Sequence, residues 1–230
     1  MHAYILCGGF GTRLRRVLKG TQKAVVDIHG RPFLALVLAQ LREAGVNCGV
    51  LCAHYRADQL AELLPALEAE SGLSLQLVVE EAPLGTGGAV LNALFHVPPK
   101  GRYLVLNADT FLDPNAYRLA LDAEHETLVG VEVEDRSRYG SLRCSAQGEV
   151  LGFEEKSQSG PGLVNAGVYG FTDGALEGLP ISNCSMEQDL LPSLIRQHRL
   201  YVRQYSGAFV DIGTPDSLDA FRSDLRGSAI

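Results

Sequence analysis

Over the first half of the chain, short apolar runs alternate with stretches of helical period. Residues 3–6 read as a strand, and glycines follow it at once. Residues 32–44 predict a helix: Pro32 suits its first turn, Phe33, Leu36, Val37 and Leu41 share one face, and Gly45 ends it. Residues 49–53, 75–79 and 103–106 predict further strands. Residues 56–67, with Leu60, Leu63, Leu64 and Leu67, and residues 87–95 predict the helices between them. Strands alternating with helices imply βαβ units and a mainly parallel sheet covered on both faces.

Beyond about residue 127 the pattern shifts towards strands. Residues 127–133 alternate. Residues 141–145 and 150–154 flank Ala146-Gln147-Gly148 as a hairpin, and residues 164–171 and 201–205 add two more strands. Helices are expected over 187–198 and 215–225. No linker or repeat interrupts the chain. The expectation is one α/β unit over 1–230, in which 1–126 binds a nucleotide and 127–230 extends the same sheet over a ligand at the strand ends.

Composition narrows the class. Hydrophobic residues make up 46% and charged residues 20%, which excludes intrinsic disorder. The net charge of −7 removes a global basic surface for nucleic acid, but a local nest of amides can still bind an anion. No apolar run approaches the ~20 residues that span a bilayer. Residues 1–8 carry no basic region ahead of their apolar stretch and read as a buried strand, not a signal peptide. Cys7, Cys48, Cys52, Cys144 and Cys184 form no Cys-x-x-Cys pair, which suits reduced thiols in a cytoplasmic protein. The Cys48, Cys52, His54 spacing fits no zinc pattern.

The most informative segment is Leu6-Cys7-Gly8-Gly9-Phe10-Gly11-Thr12-Arg13-Leu14. Glycines directly after a strand let a ligand approach the backbone, consecutive amides make an anion nest, and Arg13 adds a fork suited to phosphate oxygens. Leu6, Cys7, Gly8, Gly9, Gly11, Thr12 and Arg13 are therefore candidate nucleotide contacts. The segment lacks the Gly-Lys-Ser/Thr of a Walker loop and the third glycine of the dinucleotide fingerprint.

With Lys23 and Gly30-Arg31-Pro32-Phe33-Leu34 behind it, this segment resembles the signature of sugar-1-phosphate nucleotidyltransferases. The resemblance runs on through Glu80-Glu81-Ala82-Pro83-Leu84-Gly85-Thr86-Gly87-Gly88, Leu106-Asn107-Ala108-Asp109, Phe153-Glu154-Glu155-Lys156, Asn165-Ala166-Gly167-Val168-Tyr169 and Asp211-Ile212-Gly213-Thr214-Pro215. Within the family, the length and Arg138-Tyr139-Gly140 look most like D-glycero-D-manno-heptose 1-phosphate guanylyltransferases. One departure stands out. The family usually frames its lysine as Pro-Lys-Pro, whereas here the flanks are Gln22 and Ala24.

The resemblance implies a Rossmann-like three-layer αβα fold with a mixed sheet and a small β-rich sugar-binding extension. It also implies attack of a sugar 1-phosphate oxygen on the α-phosphorus of a nucleoside triphosphate, for surface polysaccharide assembly, with either a monomer or a homodimer compatible. Asp109 and Asp211, both near strand ends, would hold Mg²⁺. Arg13 would hold the β- and γ-phosphates and Lys23 the α-phosphate. Glu155 and Asn165 with the Gly140 backbone would take the sugar and Lys156 its phosphate, while a salt bridge of Lys156 to Glu154 or Glu155 is its structural alternative. Glu80 or Glu81, with Gly85 and Thr86, would read the base. Neighbouring strand residues face opposite ways, so one glutamate faces the pocket, and register favours Glu80. A mannose or other hexose 1-phosphate, cytidylyl transfer, a non-catalytic nucleotide-sugar sensor and a glycosyltransferase are the competing readings. Ser185-Met186-Glu187-Gln188-Asp189 reads as a capped helix start.

Overall fold

The computed structural model describes residues 1–154 and 159–227. Glu155 and Lys156 lie outside the described residues. The chain opens with β1 (His2–Leu6), a tight turn at Thr12–Leu14, a single helical turn α1 (Arg15–Leu18), a second tight turn at Lys23–Val25 and the small hairpin β2 (Asp27–Ile28) and β3 (Arg31–Pro32). It continues through α2 (Phe33–Glu43), β4 (Cys48–Ala53), α3 (Ala57–Ser71), β5 (Ser74–Val79), α4 (Gly85–His96), β6 (Tyr103–Asn107), β7 (Thr110–Leu112) and α5 (Pro114–Leu121). The remainder comprises β8 (Glu126–Val133), β9 (Ser141–Cys144), β10 (Val150–Glu154), β11 (Gly162–Phe171), one wide turn at Met186–Leu190, α6 (Leu191–Arg196), β12 (Leu200–Tyr205), β13 (Phe209–Asp211) and α7 (Pro215–Gly227).

Among the described residues nine strands form the main sheet, in the order β10-β9-β11-β6-β1-β4-β5, with β8 on the free edge of β11 and β12 beyond it. The pairs β6–β1–β4–β5 are parallel; β11 runs antiparallel to both β6 and β8. The expected extension of one sheet by the second half is what forms: the long β11 pairs with β6 through its last residues and meets β9 at Val164.

Alternation along the strands builds two cores. Ala3 and Ile5 join the core under α2, α3, α5 and α7, where Phe33, Leu38, Leu60, Tyr117 and Phe221 pack. Tyr4 points the other way, towards Val90 of α4 and Leu191 and Leu194 of α6. Both sides of the central strands are thus covered, as a parallel sheet requires. Fully burying a side chain such as Phe33 contributes ~1.5–3 kcal/mol.

Three elements depart from the pattern reading. The helix expected over 187–198 begins as the wide turn, and regular α-helix is confined to Leu191–Arg196. Pro192 explains this: it has no N–H for a preceding turn and fits only where a helix starts. The β2–β3 hairpin was not visible as a strand pair because each arm has two residues; His29 and Gly30 both take positive φ at its turn, the conformation tight hairpins need. The β7–β13 ladder joins segments about a hundred residues apart, so no local period announces it. No helix among the described residues is long and apolar enough to cross a membrane.

Candidate active site

The parallel strands β1 and β6 end together at Leu6 and Asn107, next to the point where the chain returns from β1 to β4 on its other side. This is where an open α/β sheet leaves a crevice. A cavity of 1220 Å³ opens there. Gly9, Gly11, Thr12 and Arg13 of the glycine segment, Lys23, Thr86, Asp109, Gly140, Asn165 and Asp211 all line it. Ten of the expected site residues, drawn from several distant segments of chain, therefore face one space.

Gly11 has φ +57°, and a Cβ there would lie 2.9 Å from Leu18, so the turn leading to Arg13 demands glycine. Leu14, buried at the end of the tight turn, anchors the segment from below. Lys23 stands on the next tight turn. Without flanking prolines, that turn is framed by a buried amide. The Gln22 Oε1 accepts from the Ala24 N–H at 2.6 Å, and its Nε2 donates to the Cys7 carbonyl. The Gln22 N–H donates to Gln59 Oε1 at 2.8 Å, and Gln59 Nε2 returns to the Gly20 carbonyl at 3.1 Å. The lysine thus keeps a fixed frame, made of hydrogen bonds. Its Nζ donates to Asp109 Oδ2 at 2.5 Å.

The two aspartates are brought together by the β7–β13 ladder, in which Asp211 pairs with Thr110, and by the Ile212 N–H, which donates to the Asp109 carbonyl at 3.0 Å. Asp211 Oδ1 accepts from the Gly213 N–H at 2.5 Å. A Cβ at residue 213 would fall 2.6 Å from that oxygen, so glycine is needed beside the carboxylate. Burial raises the Asp211 carboxyl above its usual value, and the neighbouring Asp109 carboxylate adds to the rise; Lys23 and Arg138 oppose it. The two carboxylates thus sit close enough to feel each other, with Lys23 and Arg138 as the cations beside them. No group of three or more His, Cys, Asp or Glu fit to hold a metal occurs among the described residues.

On the far wall, Asn165 Nδ2 donates to the hydroxyl of the fully buried Tyr169 at 2.7 Å, and Asn165 Oδ1 accepts from the Gly167 N–H at 2.9 Å. The Asn165 N–H occupies the Gly140 carbonyl at 3.0 Å. Tyr169 in turn donates to Glu187 Oε1 at 2.9 Å.

Leu6, Cys7, Gly8, Glu80 and Gly85 do not line the cavity. Cys7 is a core residue: its N–H donates to the Cys52 carbonyl, and burial pushes its thiol well up, which removes it as a nucleophile. Both glutamates follow the last residue of β5, so strand alternation does not govern them; Glu80 is buried, Glu81 is exposed, and neither lines the cavity. Glu80 Oε2 braces the following loop by accepting from the Leu84 N–H at 2.9 Å, while Oε1 lies 3.6 Å from where a Gly8 Cβ would sit. Gly85 and Gly88 serve close packing: Cβ atoms there would lie 2.5 Å from the Cys184 carbonyl oxygen and 2.1 Å from that of Ser182.

Among the cavity residues that escaped the sequence reading as site residues are Asn107, Ser185, Glu187 and Gln188. Glu187 looked like a first-turn acid favourable to a helix dipole, and nothing local to its segment says that the turn faces the strand ends.

The chain is similar to several known proteins. D-glycero-alpha-D-manno-heptose 1-phosphate guanylyltransferase of Campylobacter jejuni is 31% identical over 94% of this chain and 96% of its own length. The catalytic subunit beta of mannose-1-phosphate guanylyltransferase from Drosophila pseudoobscura pseudoobscura is 33% identical, but the alignment spans 59% of its length. The crystal structure of HddC from Yersinia pseudotuberculosis superposes with a TM-score of 0.85 at 32% identity, covering 97% of this chain and 99% of that one. The same protein complexed with GMP-PN superposes with a TM-score of 0.83 at the same identity and coverage. The sequence profile described as nucleotidyl transferase matches residues 2–227, a span that takes in the glycine segment, both aspartates and every strand of the sheet; the chain belongs to the nucleotidyl transferase family.

Proposed function

We propose that this enzyme transfers the guanylyl unit of GTP to D-glycero-D-manno-heptose 1-phosphate, releasing pyrophosphate and forming a GDP-heptose for surface polysaccharide assembly. The observation that carries the reading is the convergence of Arg13, Lys23, Asp109 and Asp211 on one cavity. Its volume of 1220 Å³ exceeds the ~300–1,000 Å³ typical of a single small ligand, which suits two reactants held side by side. The match to the Campylobacter heptose enzyme over nearly the full length of both chains supports the choice of sugar. The mannose enzymes supply the second reading, mannose 1-phosphate as acceptor, at similar identity but over part of their length.

In this reading a phosphate oxygen of the sugar 1-phosphate attacks the α-phosphorus, the bond from that phosphorus to the bridging oxygen breaks, and pyrophosphate leaves. No enzyme nucleophile takes part. Both reactants are anions, so the chain contributes mainly positioning and charge neutralisation. The Gly9–Gly11 backbone and Arg13 receive the terminal phosphates. Lys23 exchanges its partner Asp109 for the α-phosphate, where charge develops. Residues 1–126 carry the nucleotide contacts and 127–230 the sugar contacts, with Asn165 and Gly140 at the sugar. Base reading is assigned to Glu80, which lies behind the cavity wall and braces the Leu84 loop; a carboxylate reached by the base would accept from guanine N1–H, a donor that adenine lacks. The paired carboxylates of Asp109 and Asp211 fit Mg²⁺, which takes few protein ligands and keeps phosphate and water oxygens; bound there, it would neutralise charge between the phosphates. The supply of GTP fits a cytoplasmic setting.

Pyrophosphate release from GTP, CTP, UTP and ATP with Mg²⁺ and either heptose or mannose 1-phosphate tests this. GTP with the heptose phosphate should give the fastest release; no product from GTP with either sugar would overturn the reading.

A further inference from the structure

Across the cavity from the glycine segment, three polar side chains form a chain of fixed direction. Asn165 Nδ2 donates to the Tyr169 hydroxyl at 2.7 Å, and that hydroxyl donates to Glu187 Oε1 at 2.9 Å. The order admits no reversal, because a carboxylate accepts only and Asn165 has already committed its carbonyl to the Gly167 N–H. Tyr169 is fully buried, and burial together with the Glu187 charge raises its phenol well above the usual value, so it stays a donor. Asn165 and Glu187 line the cavity, and Tyr169 sits behind them. Each therefore presents what the chain leaves over: an amide N–H on Asn165, and carboxylate lone pairs on Glu187.

Glu187 is held from other sides as well. The Ser185 hydroxyl donates to its Oε2 at 3.2 Å. The Ser185 N–H is occupied by Asp189 Oδ2 at 2.7 Å, and the Met186 N–H donates to Thr86 Oγ1 at 2.9 Å. The Asn183 amide reaches the Pro83 carbonyl at 2.8 Å, and the Gly87 N–H reaches the Cys184 carbonyl at 2.8 Å. A wide turn clamped on this many bonds fixes its carboxylate against the cavity wall. A carboxylate repels phosphate and accepts from hydroxyls, so its natural partner is the polyol part of a ligand, not its phosphate. Beside it, the spare Asn165 N–H donates. A hydroxyl is the group that can serve both at once, giving its proton to Glu187 and its lone pair to Asn165.

We propose that Glu187 is a specificity-determining residue that accepts a hydrogen bond from a hydroxyl of the sugar 1-phosphate, with Tyr169 as the positioning residue that ties it to Asn165. The assignment rests on the sugar 1-phosphate reading above and deepens it.

The test compares wild type, Glu187→Gln and Tyr169→Phe in steady-state assays with GTP and either heptose or mannose 1-phosphate. Glu187→Gln should raise the sugar 1-phosphate KM by roughly tenfold or more, the scale of one lost charge-assisted hydrogen bond, and leave the GTP KM within about twofold. Tyr169→Phe keeps the ring and should move the same KM in the same direction by less. A set of single-deoxy mannose 1-phosphates identifies the hydroxyl. One deoxy position should be penalised in wild type and carry no further penalty in Glu187→Gln. An unchanged sugar KM in a folded Glu187→Gln protein, or a GTP KM that rises equally, overturns the assignment. If wild type turns over neither sugar with GTP, the proposed activity falls. Direct titration of wild type and Glu187→Gln with the two sugar 1-phosphates then decides the assignment alone: weaker binding by the variant upholds it, and equal binding or none by wild type ends it.

Discussion

Lys23 and Asp109 meet at 2.5 Å, Nζ to Oδ2, although 86 residues separate them. Lys23 is only 15% exposed and Asp109 is 36% exposed. With Lys23 largely shielded, the open side of the pair is Asp109, and solvent screening there keeps its contribution to stability to about 1 kcal/mol. Its value lies elsewhere: while no substrate is bound, each charge holds the other near the place where it is needed. An ammonium stored on a carboxylate costs little to release when a phosphate arrives.

Asp109→Asn should therefore separate rate from stability. We expect kcat/KM to fall by at least about a hundredfold, the loss seen when one preorganised electrostatic group is removed. The thermal midpoint should move by only a few degrees, in line with the exposure of the pair. Calorimetry beside a pyrophosphate-release assay reads both. A variant with near-normal turnover in Mg²⁺ would take Asp109 out of the chemistry.

Gln22 is the second such case. It is 1% exposed, and its amide serves the Ala24 N–H and the Cys7 carbonyl at once. Gln22→Ala leaves both groups unsatisfied in a dry place, a cost of ~1–3 kcal/mol each before relaxation. It also frees the turn that aims Lys23. Activity should drop more in kcat than in GTP KM, since Lys23 is assigned to charge that develops as the bond breaks. Denaturant unfolding and steady-state kinetics check the two halves. A stable, fully active Gln22→Ala would mean that the turn needs no frame.

These two residues mark what the sequence could and could not convey. The order of strands and helices was legible because each has its own period. The glycine segment was legible because three glycines and an arginine straight after a strand suit an anion far better than a plain turn. The frame around Lys23 was not. Glutamine carries no conformational signature as proline does, and its partners at Cys7 and Gln59 are set by tertiary packing. Asp211 was legible as a residue, but its pairing with Asp109 depends on a three-residue ladder between distant segments. Ser185 does cap the turn that carries Glu187, as its segment suggests, but the position of Glu187 on the cavity wall was not legible, because an acidic residue in a first turn already has a sufficient local role.

Glu80 gives a prediction about pH. Burial raises its carboxyl above the usual value, while the Leu84 N–H and nearby His54 pull it down by less. A raised folded value means that the folded state holds the proton more tightly than the unfolded chain. The favourable contribution is present at acid pH and is lost as pH rises through the raised value. Glu80→Gln keeps an acceptor for the Leu84 N–H and has no charge to bury. The difference in stability, variant minus wild type, should grow in favour of the variant from about pH 4 upward and then level off. Urea titrations at a series of pH values measure this; a difference independent of pH would place the carboxyl in water. In the same variant, the preference for GTP over ATP should narrow.

Gly88 links packing to the far wall of the cavity. A Cβ at that position would sit 2.1 Å from the Ser182 carbonyl oxygen, closer than any relaxed contact allows. The obstacle is backbone, which cannot rotate out of the way as a side chain tip would. In Gly88→Ala, then, either α4 or the segment beginning at Ser182 must move, at a cost of ~1–3 kcal/mol. The segment is the more yielding partner, because Ser182 belongs to an exposed loop whereas α4 is packed into the core through Ala89, Val90 and Ala93. Its displacement would carry Ser185 and Glu187 with it, whereas Arg13 and Lys23 stand on separate turns near β1. Gly88→Ala should raise the sugar 1-phosphate KM several-fold more than the GTP KM, with a modest loss of stability. Equal changes in both would mean that the two walls of the cavity move as one body.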